Sequence, residues 1–473
     1  MNRYRYLFKN IGLLTLSSFA TKMLSFFLVP LYTNILSTAE YGTYDIFNTT
    51  IGVLIPIFTL NIQDSVIRFA MDGEYDRKSV ITIGMKYFTI GMTIVSAGLA
   101  INCYFEWSSI AKEYAVFFWL MYLSQSLSGI ILGYTRGIEH IADLSVSSVI
   151  NSIVVITCNI VFLTVFKWGL LGYFLANIVG PLIQCIYLLL KTKSILDICL
   201  SDKYKKVEKE MLEFCRPMMA NSIAWWVNNT SDRYIIIFFC GLAQNGVYSV
   251  ASKIPSILNI FQSIFSQAWT LSAVKEFETE DKDGFFTNTY RTYNCFMVIM
   301  CSVIIGGDKF LARLLYAKDF YVAWRYVPWL SIAIVFGALS GYIGGFFSAV
   351  KNSKIYAQST VMGAIVNVIL NLILTPVMGA LGAAIATMVC YLVTWGIRYI
   401  ISQKIVKMKI KLVRDIVSYI VLVFQAVALE IINSREELYV VEVLLFSFVI
   451  ILYYKDIRMA LKKIVDVLKS RWI

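Results

Sequence analysis

The sequence predicts an all-α polytopic membrane protein of about fourteen transmembrane helices, arranged as two pseudo-symmetric six-helix lobes followed by two C-terminal helices. Three observations predict it. Apolar residues make up 58% of the 473-residue chain and charged ones 15%, with a mean hydropathy of +0.69, against roughly one half and one quarter in soluble chains. Apolar runs of the roughly 20 residues needed to cross about 30 Å of hydrocarbon follow one another almost end to end, without the period-2 alternation of a barrel. Stretches of the first half also return in the second.

Taken in order, Arg3, Arg5 and Lys9 precede an apolar run that continues through Pro30 to Leu36 with no obvious cleavage site, which reads as an uncleaved first span near 11–36. The break AEYG (39–42) opens a second span near 42–66, and charged breaks then separate spans near 80–104, 115–135, 143–166 and 170–190. Lys191 to Glu213 sets Ile195, Ile198 and Cys199 on one face among lysines, which predicts an amphipathic helix on the inner leaflet before a seventh span near 217–240. The break AQNG (243–246) opens the eighth, near 246–272, and six more lie near 292–307, 327–349, 356–376, 380–397, 415–433 and 438–454. In the tail, Ile457, Leu461, Ile464, Leu468 and Trp472 repeat at helical spacing opposite lysines, a second surface helix. The expected divisions are an N-terminal lobe with its connecting loop (1–205), a C-terminal lobe (206–403) and helices thirteen and fourteen with the basic tail (404–473).

The net charge of +12 follows this topology. With both termini in the cytoplasm, 31 of the 42 Lys and Arg fall in inside segments, seven in outside loops and four within spans. That inside excess is what sets orientation in a membrane, so the charge does not call for nucleic acid.

The repeat has two parts. Ala39, Gly42 and Tyr44 return as Ala243, Gly246 and Tyr248, with Leu54 and Gln63 matching Leu258 and Gln267 at the same offset. WGLLGYFLANIV (168–179) in the sixth span returns as MGALGAAIATMV (378–389) in the twelfth. Six spans separate the copies, so the lobes relate by an axis along the membrane normal. Gly42 and Gly246 are expected to shape tight outside turns, Tyr44 and Tyr248 to sit at interfacial depth, and Pro30, Pro56 and Pro255 to bend or shape the hairpins.

Several chemistries are excluded. Nine cysteines are scattered without a C-x-x-C pair, and His140 is the one histidine, so no zinc, haem or iron–sulfur spacing and no hydrolase triad exists. No G-x-x-x-x-G-K loop is present. The chain reads as a non-enzyme with no catalytic residues, metal or cofactor.

The patterns K-x-x-x-F-F-x-x-P-L-Y-T-x-x-L-S-x-x-E-Y-G (Lys22 to Gly42), SDRYIIIFFCG (231–241) and GVYSVASKI (246–254) resemble the polysaccharide-transporter (Wzx-type flippase) branch of the multidrug/oligosaccharidyl-lipid/polysaccharide exporter superfamily. The resemblance covers nearly the whole chain. It implies a fourteen-helix fold whose lobes flank a central cavity, and alternating access. The implied cargo is an undecaprenyl-pyrophosphate-linked oligosaccharide repeat unit, carried from the inner to the outer leaflet of the bacterial cytoplasmic membrane for O-antigen, capsule or exopolysaccharide synthesis. Implied partners are that lipid-linked substrate, membrane lipids, and the polymerase and glycosyltransferases of the same synthesis. The alternative in the same superfamily is a cation-coupled multidrug or small-molecule exporter, whose site would favour acids.

A charge at membrane depth costs at least about 2.5 kcal/mol, so such residues face a cavity or a partner. Lys22 lies roughly 16 Å into its span at 1.5 Å per residue. Lys253 and Arg233 lie about a third of the way down helices eight and seven, while Lys86 is near enough to its helix end to snorkel. Either Lys22, Lys253 and Arg233 give a cavity positive potential for a pyrophosphate, or each pairs with an acid such as Asp45 or Asp232. Relatives that flip the peptidoglycan precursor use basic residues in helices one and eight; here those positions hold lysine rather than arginine, a point charge without the bidentate grip. Gln63 and Gln267 match across the repeat, and Asn229 stands with Trp225, Trp226 and Asn228 where sugar contact or packing are both open. Asp64 and Arg68, four residues apart, are expected to form a gating or structural ion pair.

Overall fold

The computed structural model describes residues 26–72, 74–193, 204–275, 279–350 and 353–470. Every regular element among the described residues is helical, and the chain divides into two compact units, 1–231 and 232–473.

The first unit opens with α1 (Val29–Ile35), where Pro30 occupies the first turn and removes no helical hydrogen bond. The chain turns at Leu36 and Ser37, not at AEYG. Ser37 caps α2 (Thr38–Phe58) in a capping box: its hydroxyl accepts from Glu40 N (3.2 Å), and the Glu40 carboxylate accepts from Ser37 N (2.7 Å). Ala39 to Gly42 therefore form the first turn of the helix, and Gly42 is buried within it. Pro56 lies two residues before the end of α2, and Leu60 (φ 52°) and Asn61 (φ 54°) follow in the left-handed region. α3 (Ile62–Met71) leaves at 60°, so the second span is a bent pair.

Helices α4 (Arg77–Phe105), α5 (Ser109–Glu113), α6 (Ala115–Gly137), α7 (Ile141–Ile160, continued by a π turn to Val165) and α8 (Gly169–Thr192) complete the bundle. α6 packs closely on α3 through Gly129, Gly133 and Gly137. A Cβ at Gly137 would stand 2.6 Å from Ala70 Cβ and 2.9 Å from Ile67 O. Small residues four apart let two membrane helices approach to backbone contact.

Of the segment expected to float on the membrane surface, residues 194–203, with Ile195, Ile198 and Cys199, lie outside the described residues, and the part from Lys205 onward begins α9 (Lys205–Ala251). Met211 and Cys215 are fully buried beside Ile62, Val66 and Tyr134 in the core of this unit. Lys86 does not snorkel freely: its ammonium binds both oxygens of Glu208 (2.8 and 2.9 Å), which also accepts from Tyr87 (2.9 Å), and Tyr75 donates to Glu210 (2.8 Å). Buried apolar residues on one face, and acids that match Lys86, Tyr87 and Tyr75 on the others, dock the segment into the bundle.

In the second unit the turn falls at Gly241 (φ 83°), a conformation open to glycine, rather than at AQNG; Gly246 is helical and buried. The helix then breaks again at Ser252 to Pro255 before α10 (Ser256–Lys275). α11 (Phe285–Gly306) and α12 (Asp308–Leu315) form a second bent pair, at 65°. A 3-10 segment (Lys318–Arg325), α13 (Val327–Ala349), α14 (Ser353–Met378), α15 (Ala380–Ser402), α16 (Leu412–Ile431) and α17 (Arg435–Ser470) follow.

These helices are amphipathic in the inverted sense a lipid solvent demands. On α14, Val361, Ile365 and Ile369 are exposed while Asn367, Asn371 and Thr375 are buried; on α16, Ile416, Ile420 and Phe424 are exposed while Asp415, Ser418 and Gln425 are buried. Ten described helices are long and apolar enough to cross a membrane, or up to twelve with each bent pair taken as one crossing. The chain is a multi-pass membrane protein. Of the fourteen expected spans, the first falls largely outside the described residues and the eighth is interrupted at Lys253.

The WGLLG and MGALG repeat has a physical basis in each unit. Gly169 (φ 53°) and Gly379 (φ 62°) both turn the chain into a helix through the left-handed region. Three residues on, Gly172 and Gly382 meet the preceding helix: a Cβ would lie 2.9 Å from Phe162 Cβ in one case and 2.4 Å from Leu374 O in the other.

Candidate functional site

A buried polar site lies in the second unit and is made by the turn at Gly241. The turn brings consecutive residues of α9 back against consecutive residues beyond it: Asp232 Oδ2 accepts from the Tyr248 hydroxyl (2.5 Å), and Arg233 Nη1 donates to Ser249 Oγ (3.3 Å). Asp232 is 6% exposed and Tyr248 4%, so Tyr248 is a buried donor. Thr387 on α15 lies beside the same hydroxyl, its own donating to Ala383 O (3.0 Å). From Thr387 the chain of polar groups continues onto α14, through Asn367 Nδ2 (3.5 Å) to Asn371 (3.1 Å to Asn367 Oδ1) and Thr375 (3.4 Å). One helical turn beyond Ser249 stands Lys253.

Lys253 occupies the break between α9 and α10. Its backbone N–H bonds Val250 O (2.9 Å) and its carbonyl accepts from Ser256 Oγ (2.6 Å). Its half-buried ammonium has no hydrogen bond or ion pair among the described residues. Arg233, by contrast, is bound within its own unit. The result is a polar seam anchored by Asp232 with an uncommitted cation on a non-helical turn, an arrangement suited to an anion's point charge.

The other expected residues are scattered. Lys22 and the side chains of Gln267 and Asn228 lie outside the described residues. Gln63 belongs to the first unit, where its amide bonds Asn61 Oδ1 (3.4 Å) and its carbonyl oxygen lies over Gly129. Asp64 and Arg68 do not pair. Asp64 accepts from Asn61 Nδ2 (2.6 Å) across the bend, and Arg68 reaches Asp72 (3.5 Å), because the left-handed turn at Asn61 presents a closer donor. Asn229 bonds back along its helix to Trp225 O (2.8 Å), and Trp226 ties α9 to α2 through Thr49 O (2.9 Å).

Sequence reasoning passed over Asn367, Asn371 and Thr375, though polar residues at four-residue spacing in VNVILNLILTPV were a legible signal. It also assigned Arg398 to a loop. Arg398 is buried in α15, donates to Ser359 Oγ (2.9 Å), Ser340 O (2.9 Å) and Thr360 Oγ1 (2.8 Å), and lies 4.1 Å over the Tyr356 ring. A second network joins α11, α16 and α17. Arg291 and Arg414 both hold Asp456, Arg414 holds Asp415 (2.7 Å), and Tyr453 bridges Asp415 (3.1 Å) to Asn294 (3.0 Å). With each charged side chain in at least one ion pair, this network fastens helices together.

The fold and its buried polar seam define a class: a multi-pass protein built on the fold of the multidrug/oligosaccharidyl-lipid/polysaccharide exporter superfamily. The chain is similar to the lipid II flippase MurJ in an inward closed conformation, with a TM-score of 0.70 at 14% identity over 95% of this chain and 99% of that one. It is similar to a multidrug resistance MATE family transporter in its inward-facing conformation (TM-score 0.65, 14% identity, 82% and 96%) and in an outward-facing one (0.54, 13%, 84% and 92%). These neighbours are a flippase and transporters, not enzymes. The chain belongs to the polysaccharide biosynthesis protein family, whose model matches residues 7–270. Among curated proteins none matches it.

Proposed function

We propose that the protein is a flippase for an undecaprenyl-pyrophosphate-linked oligosaccharide repeat unit, moving it by alternating access from the inner to the outer leaflet of the bacterial cytoplasmic membrane. The observation that carries this reading is Lys253: a half-buried lysine on a helix break, whose ammonium has no counter-charge among the described residues, in a member of a polysaccharide biosynthesis family. An unpaired cation at that depth is stable when an anionic cargo supplies the missing charge. Lys22, placed by the sequence at similar depth, is proposed to meet the same pyrophosphate, and Arg233, Gln63, Gln267 and Asn229 to serve the sugars or shape their path. A free lysine in this position disfavours the cationic cargo of a drug exporter. Both termini are proposed to lie in the cytoplasm.

The test is glycan export in cells expressing each variant at matched membrane levels. The double variant Lys22→Gln, Lys253→Gln should lose most export, and Lys253→Arg should keep part of it. Full export from the double variant would move the cargo site elsewhere.

A further inference from the structure

One group of side chains in the second unit takes no part in the seam above and lies beyond the residues matched by the family model. Asp308 opens α12 directly after the 65° bend that ends α11. It is 0% exposed, yet neither of its carboxyl oxygens has a hydrogen-bond partner. On α17, Glu442 is 3% exposed; its Oε2 accepts from Gln425 Nε2 (2.8 Å), and its Oε1 has no partner. Gln425 cannot turn to offer more, because its carbonyl oxygen is already taken by Ser302 Oγ (2.8 Å). A Cβ on Gly306 would lie 3.6 Å from Glu442 Oε2, so this carboxyl sits against the last turn of α11, two residues before Asp308.

The surrounding cations are committed elsewhere. Lys309 acts on both carboxyls, but its ammonium is bonded to Leu429 O (2.7 Å) and lies 4.5 Å from the Trp324 ring. Arg325 is held by Glu430 (2.9 Å), and Arg435 lies 5.7 Å over Tyr439. Arg313 faces Tyr321, and Glu436 and Glu437 are exposed. Three carboxyl oxygens about the bend are thus buried with no hydrogen-bond partner among the described residues. Two ionised carboxylates in such a place bear both desolvation and mutual repulsion. One proton removes one of the two charges and so relieves both costs. Too few oxygens converge to coordinate a metal ion, and no group of His, Cys, Asp or Glu among the described residues has that form.

We propose that Asp308 and Glu442 form a proton-binding site that sets the bend between α11 and α12. With the proton bound, one of the two buried charges at the bend is gone and the bend is stable; when it leaves, two buried anions repel each other across the bend and disfavour it. The site therefore converts proton occupancy into a change of helix angle, whatever cargo the protein carries.

Infrared spectroscopy of the full-length protein in lipid vesicles, in H2O and D2O from about pH 5 to about pH 9, tests it directly. The wild type should show at neutral pH the carbonyl band of a buried protonated carboxyl, shifted in D2O and lost at high pH or in the double variant Asp308→Asn, Glu442→Gln. Identical spectra from wild type and double variant would overturn the proposal. A wild-type protein without a buried protonated carboxyl would do so even if no variant folds. Thermal unfolding supplies a second reading. The folded state would hold a proton the unfolded state has released, so wild-type stability should fall as pH rises, by up to tenfold per pH unit in the unfolding equilibrium. The double variant should lack that slope; an unchanged slope would also overturn the proposal. Neither measurement involves the glycan, so a wrong cargo assignment leaves both intact.

Discussion

A tyrosine and a lysine five residues apart, Tyr248 and Lys253, do opposite work here. Tyr248 completes the shell of a buried carboxylate, whereas Lys253 is left open on a helix break. Tyr248→Phe should therefore cost about 2 kcal/mol of stability, the usual value for a hydrogen bond to a charged group, measured as a lower unfolding temperature in detergent. Lys253→Gln should leave that temperature unchanged while removing export, because no described protein group depends on the ammonium. If Lys253→Gln lowered stability as much as Tyr248→Phe, the lysine would be a structural residue.

At the scale of elements, close packing and tethering decide what the helices do. Gly137→Ala should destabilise the first unit by about 1–3 kcal/mol, since the new methyl meets Ala70 Cβ and the Ile67 carbonyl, which cannot move aside. Gly98→Ala, with nothing within 4 Å, is the matched control and should be neutral. The start of α9 carries a pH-dependent tether. Burial pushes the Glu208 carboxyl up, but hydrogen bonds from Lys86 and Tyr87 outweigh it and hold the carboxyl below its ordinary value. A lowered value stabilises the docked segment above the unfolded-state range and loses that contribution as pH falls through the folded value. Hydrogen exchange across residues 205–216 should rise on acidification, and Glu208→Gln should show the raised exchange already at neutral pH.

For the whole molecule, the distribution of basic residues sets an orientation that can be measured. Reporter fusions at residue 473 should be active only in the cytoplasm, and fusions within the Lys318–Arg325 segment only outside, because inside segments hold 31 of the 42 Lys and Arg. A fusion at residue 473 active outside would invert the proposed direction of transport.

Membrane class, helical architecture and the internal repeat were determined by the sequence alone. Each rests on a property summed over many residues: hydropathy over about 20 positions, charge over whole loops, and matched stretches such as WGLLG and MGALG. The seam was legible in part, through Arg233 and Lys253 as charges within spans and through the spacing of Asn367, Asn371 and Thr375. Tertiary structure decided the rest. That Asp64 turns to Asn61 depends on a left-handed backbone at one residue, and that Lys191 to Glu213 leads into a long docked helix depends on Lys86 and Tyr87, more than a hundred residues away. Nothing in the sequence singled out Asp308 and Glu442. Only the bend of α11 and the approach of α17 place both out of water, because burial and the presence or absence of a donor are properties of what packs against a side chain, which its own position in the sequence does not specify.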